Sequence, residues 1–166
     1  MTVYTTMDSP LGQLLLVGEE SDTAKGGTAL TSLSLAGQKR GAVVQDGWRE
    51  KPEAFTEIAA QLRAYFDGTL TCFDIEYVTS GTDFQRRVWA ALETIPYGTT
   101  LTYGEIAREI GAPRAAVRAV GTAIGANPLL VVRPCHRVIG AGGALTGYAA
   151  GLERKRHLLN LERPRG

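Results

Sequence analysis

The sequence is poor in the residues that cross-link small proteins or bind metals. It has two cysteines, Cys72 and Cys135, and two histidines, His136 and His157, in 166 residues. A disulfide is not expected from two thiols in a reducing compartment. These four residues also lack the spacing of metal ligands, so the sequence predicts neither a metal nor another cofactor.

Long apolar segments are also missing. No run approaches the roughly 20 apolar residues that a membrane-spanning helix needs. The first five residues contain no basic stretch and no apolar core, so no secretory signal is predicted. We therefore expect a cytoplasmic protein with no membrane partner.

The net charge of +1 hides an asymmetry between the two halves. Residues 1–81 carry 6 Lys and Arg against 11 Asp and Glu, whereas residues 82–166 carry 12 against 6. The net charges are therefore −5 and +6. The basic half would suit a polyanion such as nucleic acid, although oppositely charged surfaces that attract each other explain the asymmetry equally well.

The first half predicts a small antiparallel sheet and one helix. The helix covers residues 53–67, where apolar residues recur at three- and four-residue steps (Phe55, Ile58, Ala59, Leu62 and Phe66). Strands are predicted at Val3–Thr6, Gln13–Val17, Leu30–Leu35 and Phe73–Val78. Leu30 breaks the alternation of the third strand.

The second half is mostly helical. Thr82 and Thr102 are candidate N-caps of two helices, Pro113 suits the first turn of a third that runs to Gly125, and a last helix covers about Leu152–Leu161. An extended apolar segment, Leu129–Val132, leads to Cys135. The fold class predicted is α+β, with a boundary near Ser80 and Gly81.

The two helices around Gly111 have a helix-turn-helix pattern. Arg114 and Arg118 lie four residues apart on one face of the second helix, among the small residues Ala115, Ala119, Gly121 and Thr122. A face of this kind can approach a DNA groove closely. Tight packing against a neighbouring helix is an equally good explanation, and these residues favour neither.

Cys135 differs from Cys72 in its surroundings. Cys72 is followed by Phe73 and is typical of a small packed residue. Cys135 lies between Pro134 and His136, with an arginine on either side of that pair, and such neighbours favour a reactive thiolate. Glu162 is a candidate to orient His136 as a base, although either residue could instead be purely structural.

Residues 133–140, Arg-Pro-Cys-His-Arg-Val-Ile-Gly, resemble the active-site signature of the O6-alkylguanine-DNA alkyltransferases, also called methylated-DNA–protein-cysteine methyltransferases. Further matches follow in family order at Thr82–Trp89, Ile95–Gly98, Arg118–Gly121, Asn127–Pro128 and Leu145–Tyr148. The resemblance implies a ribonuclease H-like lobe over residues 1–80. It also implies a DNA-binding and alkyl-transfer domain over residues 81–166.

The resemblance implies direct repair of DNA. An alkyl group, such as methyl, would move irreversibly from O6 of a flipped guanine, or O4 of thymine, to Cys135. Duplex DNA with alkylated guanine is the implied partner. No protein partner is implied, and a monomer is expected, with cooperative binding on DNA left open.

The resemblance also assigns roles to individual residues. His136 and Glu162 would activate Cys135 through a water, and Asn127 would brace the turn before the active site. Tyr103 would bind DNA by crowding the phosphate 3′ to the lesion and would help protonate the leaving base. Arg118 would fill the gap left by the flipped nucleotide, beside Arg114 and Ala119 on the DNA-facing helix. Backbone groups of Cys135, Val138 and Ala149 would read the guanine, and Tyr148 would form a pocket wall.

The sequence departs from the family pattern in two places. Ala149 and Ala150 stand where relatives often have Ser or Gly, and the turn Ala112–Val117 is one residue longer than usual. Two other functions remain open. A DNA-binding sensor would use the same helices without an acceptor cysteine, and a cysteine hydrolase would turn over.

Overall fold

The first three predicted strands form, and each is longer than the sequence pattern indicated. In this computed structural model, which describes residues 1–39 and 41–163, β1 (Thr2–Ser9) pairs with β2 (Gly12–Glu20), which pairs with β3 (Thr28–Leu35). All of these pairings are antiparallel. A short strand that the pattern did not reveal, β4 (Arg49–Glu50), adds parallel to β1. The sheet order β3-β2-β1-β4 is therefore mixed.

The broken alternation of β3 has a structural cause. Val17 pairs with Ser32 and Gly18 pairs with Leu30, so that Thr31 is the extra residue of a β-bulge. The bulge shifts the side-chain register by one residue and returns Leu30 to a fully buried position.

The predicted helix of this unit is α1 (Thr56–Phe66), which follows a 3-10 turn at Pro52–Phe55. Phe55, Ile58 and Leu62 are buried as the apolar stripe indicated. The stripe was wrong at its end, because Tyr65 is fully buried whereas Phe66 is half-buried. Tyr65 packs against the rings of both Phe66 and Phe73, which replaces the simple helical stripe.

The strand predicted at Phe73–Val78 does not form, apart from one bridge between Leu30 and Tyr77. The Gln61 side chain takes the place of a neighbouring strand. Its Oε1 accepts from the Asp74 N–H at 2.8 Å, and its Nε2 donates to the Asp74 carbonyl at 2.9 Å. The backbone polar groups of Asp74 are thereby satisfied without a ladder.

The chain divides into two compact units, Met1–Thr79 and Ser80–Gly166. The second unit contains α2 (Asp83–Glu93), β5 (Leu101–Thr102), α3 (Tyr103–Glu109), α4 (Val117–Gly125), β6 (Val138–Ile139) and α5 (Leu152–Glu162). Both predicted N-caps are confirmed. Thr82 and Thr102 each form a capping box with the residue three positions later, Gln85 and Glu105.

The helix-turn-helix consists of α3, a turn and α4. Gly111 leaves α3 with φ +72°, a conformation that favours glycine. Pro113 precedes a 3-10 turn at Arg114–Ala116, so that α4 begins at Val117, later than Pro113 indicated. The α+β fold class is confirmed. None of the helices in the described ranges is long and apolar enough to cross a membrane.

Candidate active site

Cys135 begins a 3-10 turn, Cys135–Arg137, which leads into β6. The preceding segment is not extended as predicted. Val131 adopts φ +67°, which is uncommon for a β-branched residue, and the Val132 N–H donates to the Leu130 carbonyl across it. A second tight turn follows, because the Cys135 N–H donates to the Arg133 carbonyl at 2.7 Å. These local bonds satisfy backbone groups that a strand would have paired with a neighbour.

Asn127 holds this segment in place. Its Nδ2 donates to the Leu129 and Arg133 carbonyls at 3.1 and 3.2 Å, and its Oδ1 accepts from the Leu129 N–H at 3.1 Å. The Asn127 side chain is buried, so each of these bonds forms away from solvent. The path of the chain between α4 and Cys135 therefore depends on one amide side chain.

His136, Arg137 and Glu162 form a buried polar cluster at the end of α5. The Nε2 of His136 lies 2.7 Å from Oε2 of Glu162. Arg137 donates to the same carboxylate with two nitrogens, Nε at 2.7 Å and Nη2 at 3.0 Å. A third Arg137 nitrogen, Nη1, donates to the Ile95 carbonyl at 2.7 Å. Such a bidentate pair is strong and directional, and it places Glu162 against the imidazole.

The imidazole has one nitrogen committed and one available. A carboxylate accepts hydrogen bonds, so the Glu162 contact places the proton of neutral His136 on Nε2. Nδ1 is buried and has no hydrogen-bond partner among the described residues. The tautomer set by Glu162 therefore leaves Nδ1 as a proton acceptor.

Burial dominates the electrostatics of Cys135 and His136. It raises the pKa of the Cys135 thiol above its ordinary value, although an Asn127 hydrogen bond and the charges of Lys155 and Arg133 lower it. Burial lowers the pKa of His136, against the hydrogen bond and charge of Glu162. The sequence indicated a thiolate favoured by its charged neighbours, whereas burial favours the neutral forms of both the thiol and the imidazole.

A cavity of about 110 Å³ opens onto Cys135. Four other candidate residues line it with the cysteine: Tyr103, Asn127, Tyr148 and Ala149. The remaining lining residues are mostly small or apolar (Gly121, Ile124, Gly125, Leu130 and Gly147). Val138, expected as a base-reading residue, is fully buried in β6 and is not among the residues that line the cavity.

Lys155 is a site residue that the sequence reasoning missed. It is fully buried on α5, and its Nζ donates to the Thr146 and Gly147 carbonyls at 3.0 and 3.1 Å. The Tyr103 hydroxyl donates to the same Thr146 carbonyl at 2.8 Å. Lys155, Leu158 and Glu162 share the buried face of α5 at steps of three and four residues. Charged residues at such positions were the available signal.

Three of the four candidate DNA-binding residues are exposed, and the fourth, Tyr103, lines the cavity. Arg114, Arg118 and Ala119 are exposed, whereas Val120, Ala123 and Ile124 face the core. The Trp89 indole donates to the Ala123 carbonyl at 2.9 Å and fixes α4 against α2. The packed and exposed faces of α4 are therefore distinct, with Arg118 on the exposed one. Arg114, which was predicted on the same helical face, lies in the 3-10 turn before α4.

The described residues contain no group of three or more His, Cys, Asp or Glu side chains placed to hold a metal ion.

Two family models together match most of the chain. Residues 83–164 match "6-O-methylguanine DNA methyltransferase, DNA binding domain", and residues 2–78 match the ribonuclease-like domain of the same family. The chain is 55% identical to the methylated-DNA–protein-cysteine methyltransferase of Mycolicibacterium paratuberculosis, over 98% of this chain and 93% of that protein. It is 48% identical to the protein of the same name from Methanosarcina acetivorans, over 96% and 97% of the two chains.

Solved structures agree with the sequence relatives. The crystal structure of Mycobacterium tuberculosis OGT in complex with DNA is similar to this chain, with a TM-score of 0.86 and 52% identity. The match covers 97% of this chain and 92% of the other.

Proposed function

The chain belongs to the 6-O-methylguanine DNA methyltransferase family, and from this premise we propose that it repairs DNA by moving an alkyl group from O6 of guanine to Cys135. The observation that carries the proposal is the position of Cys135. Its sulfur opens onto a cavity, and the next residue, His136, is oriented by a buried carboxylate. The protein acts as a monomer on duplex DNA in this proposal, and O4 of thymine is a second substrate.

The first chemical step is a proton transfer. His136 accepts the Cys135 proton at Nδ1, directly or through one water, and Glu162 stabilises the imidazolium through Nε2. Burial disfavours a free thiolate at neutral pH. The proton therefore passes from Cys135 to His136 within the site rather than to solvent. Arg137 aligns Glu162 for this role through two hydrogen bonds.

The second step is displacement at the alkyl carbon. The thiolate forms a C–S bond while the bond from that carbon to guanine O6 breaks, and the guanine leaves as its N1 or O6 is protonated. The products are S-alkylcysteine and unmodified guanine, so each protein molecule reacts once. No metal or external cofactor is needed for this balance.

Tyr103 is the proposed proton donor to the leaving base. Its hydroxyl donates to the Thr146 carbonyl and would have to turn into the cavity to serve the guanine. Lys155 also donates to that carbonyl, so Thr146 keeps a donor when Tyr103 turns. Asn127, the Tyr148 wall and the base-reading position Ala149 line the pocket with Cys135, whereas Val138 would have to reach the base through its backbone from buried β6.

The exposed face of α4 is the proposed DNA contact. Arg118 would occupy the space of the flipped nucleotide, while Arg114 and Ala119 lie beside it against the backbone. Unstacking a base costs a few kcal/mol, which these contacts and the pocket must offset. Binding to duplex DNA should weaken steeply with salt, because phosphate contacts release counterions.

Mass spectrometry tests the acceptor directly. After incubation with duplex DNA containing O6-methylguanine, we expect one added methyl group per protein, on the peptide that contains Cys135. Cys135→Ser should bind the duplex and gain no methyl group. Cys72, which the sequence indicated as a packed residue, is exposed and gives the internal control. A methyl group on Cys72, or turnover beyond one equivalent, would contradict the proposal.

A second experiment tests the role of Arg118. Arg118→Ala should slow repair of duplex DNA much more than reaction with free O6-methylguanine base, because only the duplex requires base flipping. Exposed Arg156 on α5 gives a matched control variant, Arg156→Ala. Equal losses with both substrates would argue against insertion by Arg118.

A further inference from the structure

Arg133 is a buried arginine in an otherwise apolar turn. It is 4% exposed and follows Leu129–Val132. Arginine keeps its charge when buried, and a buried charge is costly unless it is paired or hydrogen-bonded. The contacts of this side chain therefore indicate what the charge does.

Three groups surround the Arg133 guanidinium. Nη1 donates to Oδ1 of Asn127 at 3.2 Å. The guanidinium carbon lies 4.9 Å from the centre of the Trp89 ring, within the range of a cation–π contact. Nε lies 3.5 Å from a carboxylate oxygen of Glu93.

Glu93 pairs with this charge from the edge of the interior, through its charge and a hydrogen bond. Its side chain is 36% exposed, and solvent screens a pair of that kind. The pair of Arg137 and Glu162 is bidentate and buried. Arg133 therefore places positive charge in the interior, two residues before Cys135.

The bond from Arg133 also fixes the orientation of the Asn127 amide. Oδ1 accepts from Arg133 and from the Leu129 N–H, whereas Nδ2 donates to two carbonyls. Exchanging the amide O and N would set donor against donor and acceptor against acceptor. Asn127 lines the same cavity as Cys135, and hydrogen bonding to this side chain lowers the pKa of the thiol. A cationic donor on Oδ1 polarises the amide and strengthens that bond.

We infer that Arg133 is a positioning residue for Cys135, which fixes the Asn127 amide in the cavity wall beside the cysteine and stabilises the thiolate through that amide and its own charge. This role rests on the proposed function of Cys135 as the acceptor. It is distinct from the role of the base: His136 removes the proton, and the Arg133–Asn127 pair stabilises the thiolate that remains.

Other groups also act on Cys135 and must stay constant in a test. They are Lys155 from α5, Tyr103 from α3, Tyr148 from the loop before α5, and the adjacent His136. Changes at Arg133 and Glu93 leave all four side chains in place. These two changes also alter the charge near the sulfur in opposite directions.

The experiment is the pH profile of Cys135 alkylation by iodoacetamide, in a Cys72→Ser background. Arg133→Met should move the midpoint up by about one pH unit, and slow the reaction about tenfold below it, because a nearby positive charge is lost. Arg133→Lys keeps the charge without the planar guanidinium, so its midpoint should fall between those of Arg133→Met and the wild type. Arg156→Met should leave the profile unchanged.

Glu93→Gln gives the opposite sign. Removing the carboxylate leaves the Arg133 charge less compensated, so the midpoint should move down by a few tenths of a pH unit. A merely structural role for Arg133 would not produce shifts of opposite sign at the two positions. If Arg133→Met fails to fold, Glu93→Gln still decides, since an unchanged or raised midpoint in that variant would overturn the inference.

An unchanged midpoint in a folded Arg133→Met protein would overturn it as well. The readout needs no DNA and no alkylated guanine. A wild type that fails to react with O6-methylguanine duplex would therefore defeat the proposed function, while the iodoacetamide profiles would still report the coupling between Arg133 and Cys135.

Discussion

The two arginines on either side of the Pro134–Cys135–His136 segment are alike in sequence and differ in structure. Arg137 is locked to Glu162 by two hydrogen bonds between buried groups. Arg133 is equally buried, and its contacts include a bond to the Asn127 amide and a pair with partly exposed Glu93. Two arginines that flank the same nucleophile can therefore be paired with carboxylates of very different exposure.

The consequence is a division of labour around Cys135. The charges of Lys155 and Arg133 lower the pKa of the thiol, whereas that of Arg137 acts on the imidazole of His136. One arginine organises the base and the other the nucleophile. The comparison can be tested by changing the contacts of Arg133 and those of Arg137 separately.

The largest effect on stability is expected from Glu162→Gln, which removes the carboxylate that pairs with Arg137. Arg137 would be left buried without its carboxylate, and loss of one partner from a buried pair costs about 3–5 kcal/mol. Urea unfolding should show a loss of that order in the free energy of unfolding. The control is Glu153→Gln, at an exposed position of the same helix. A loss below about 1 kcal/mol would mean that the pair is screened like a surface pair.

A smaller loss of stability is expected from Arg137→Lys, which keeps the positive charge and removes the planar guanidinium. Lysine cannot reproduce the bidentate contact together with the bond to the Ile95 carbonyl, and each lost hydrogen bond to a charged group contributes about 1.5–3 kcal/mol. We expect a net loss of about 2 kcal/mol, because lysine recovers part of the pairing. Arg133→Lys should lower the free energy of unfolding less than Arg137→Lys does in the same urea measurement. Equal losses would mean that the two arginines do not differ in how they are paired.

The pH dependence of stability tests the burial of His136. Its folded pKa is lowered below that of the unfolded chain, so the unfolded state binds more protons as the pH falls below about 6.5. Stability should be greatest above that pH and fall toward pH 5.5, by at most about 1.4 kcal/mol per pH unit for one proton.

His136→Gln should flatten this slope in urea unfolding curves measured between pH 7.5 and 5.5. Exposed His157 gives the matched control, and His157→Gln should retain it. A slope that persists without His136, or one that disappears with His157, would assign the proton to another group.

The smallest stability effect is expected from Glu93→Gln. A partly exposed pair at 3.5 Å contributes about 0–1 kcal/mol, so thermal unfolding should change little. The same substitution is expected to shift the reactivity of Cys135, and the combination distinguishes an electrostatic role from a structural one. A loss above about 2 kcal/mol would show that Glu93 neutralises Arg133 as fully as Glu162 neutralises Arg137.

Much of the fold could be predicted because its signals are local. The caps at Thr82 and Thr102 join residues three positions apart, and the apolar steps of α1 reflect one helical face. Predictions failed where a distant side chain intervened. Gln61 satisfied the backbone of Asp74 and prevented a strand, and the aromatic contacts of Tyr65 overrode the helical stripe.

The sequence by itself determined that a cysteine beside a histidine follows a helix-turn-helix in a basic half of the chain. Only the tertiary structure decided in which direction the pKa of that cysteine is shifted. His136 and Glu162 are 26 residues apart, and Lys155 enters the site from the same distant helix. Desolvation depends on everything packed around a group, and it reversed the thiol shift that the flanking arginines alone would indicate.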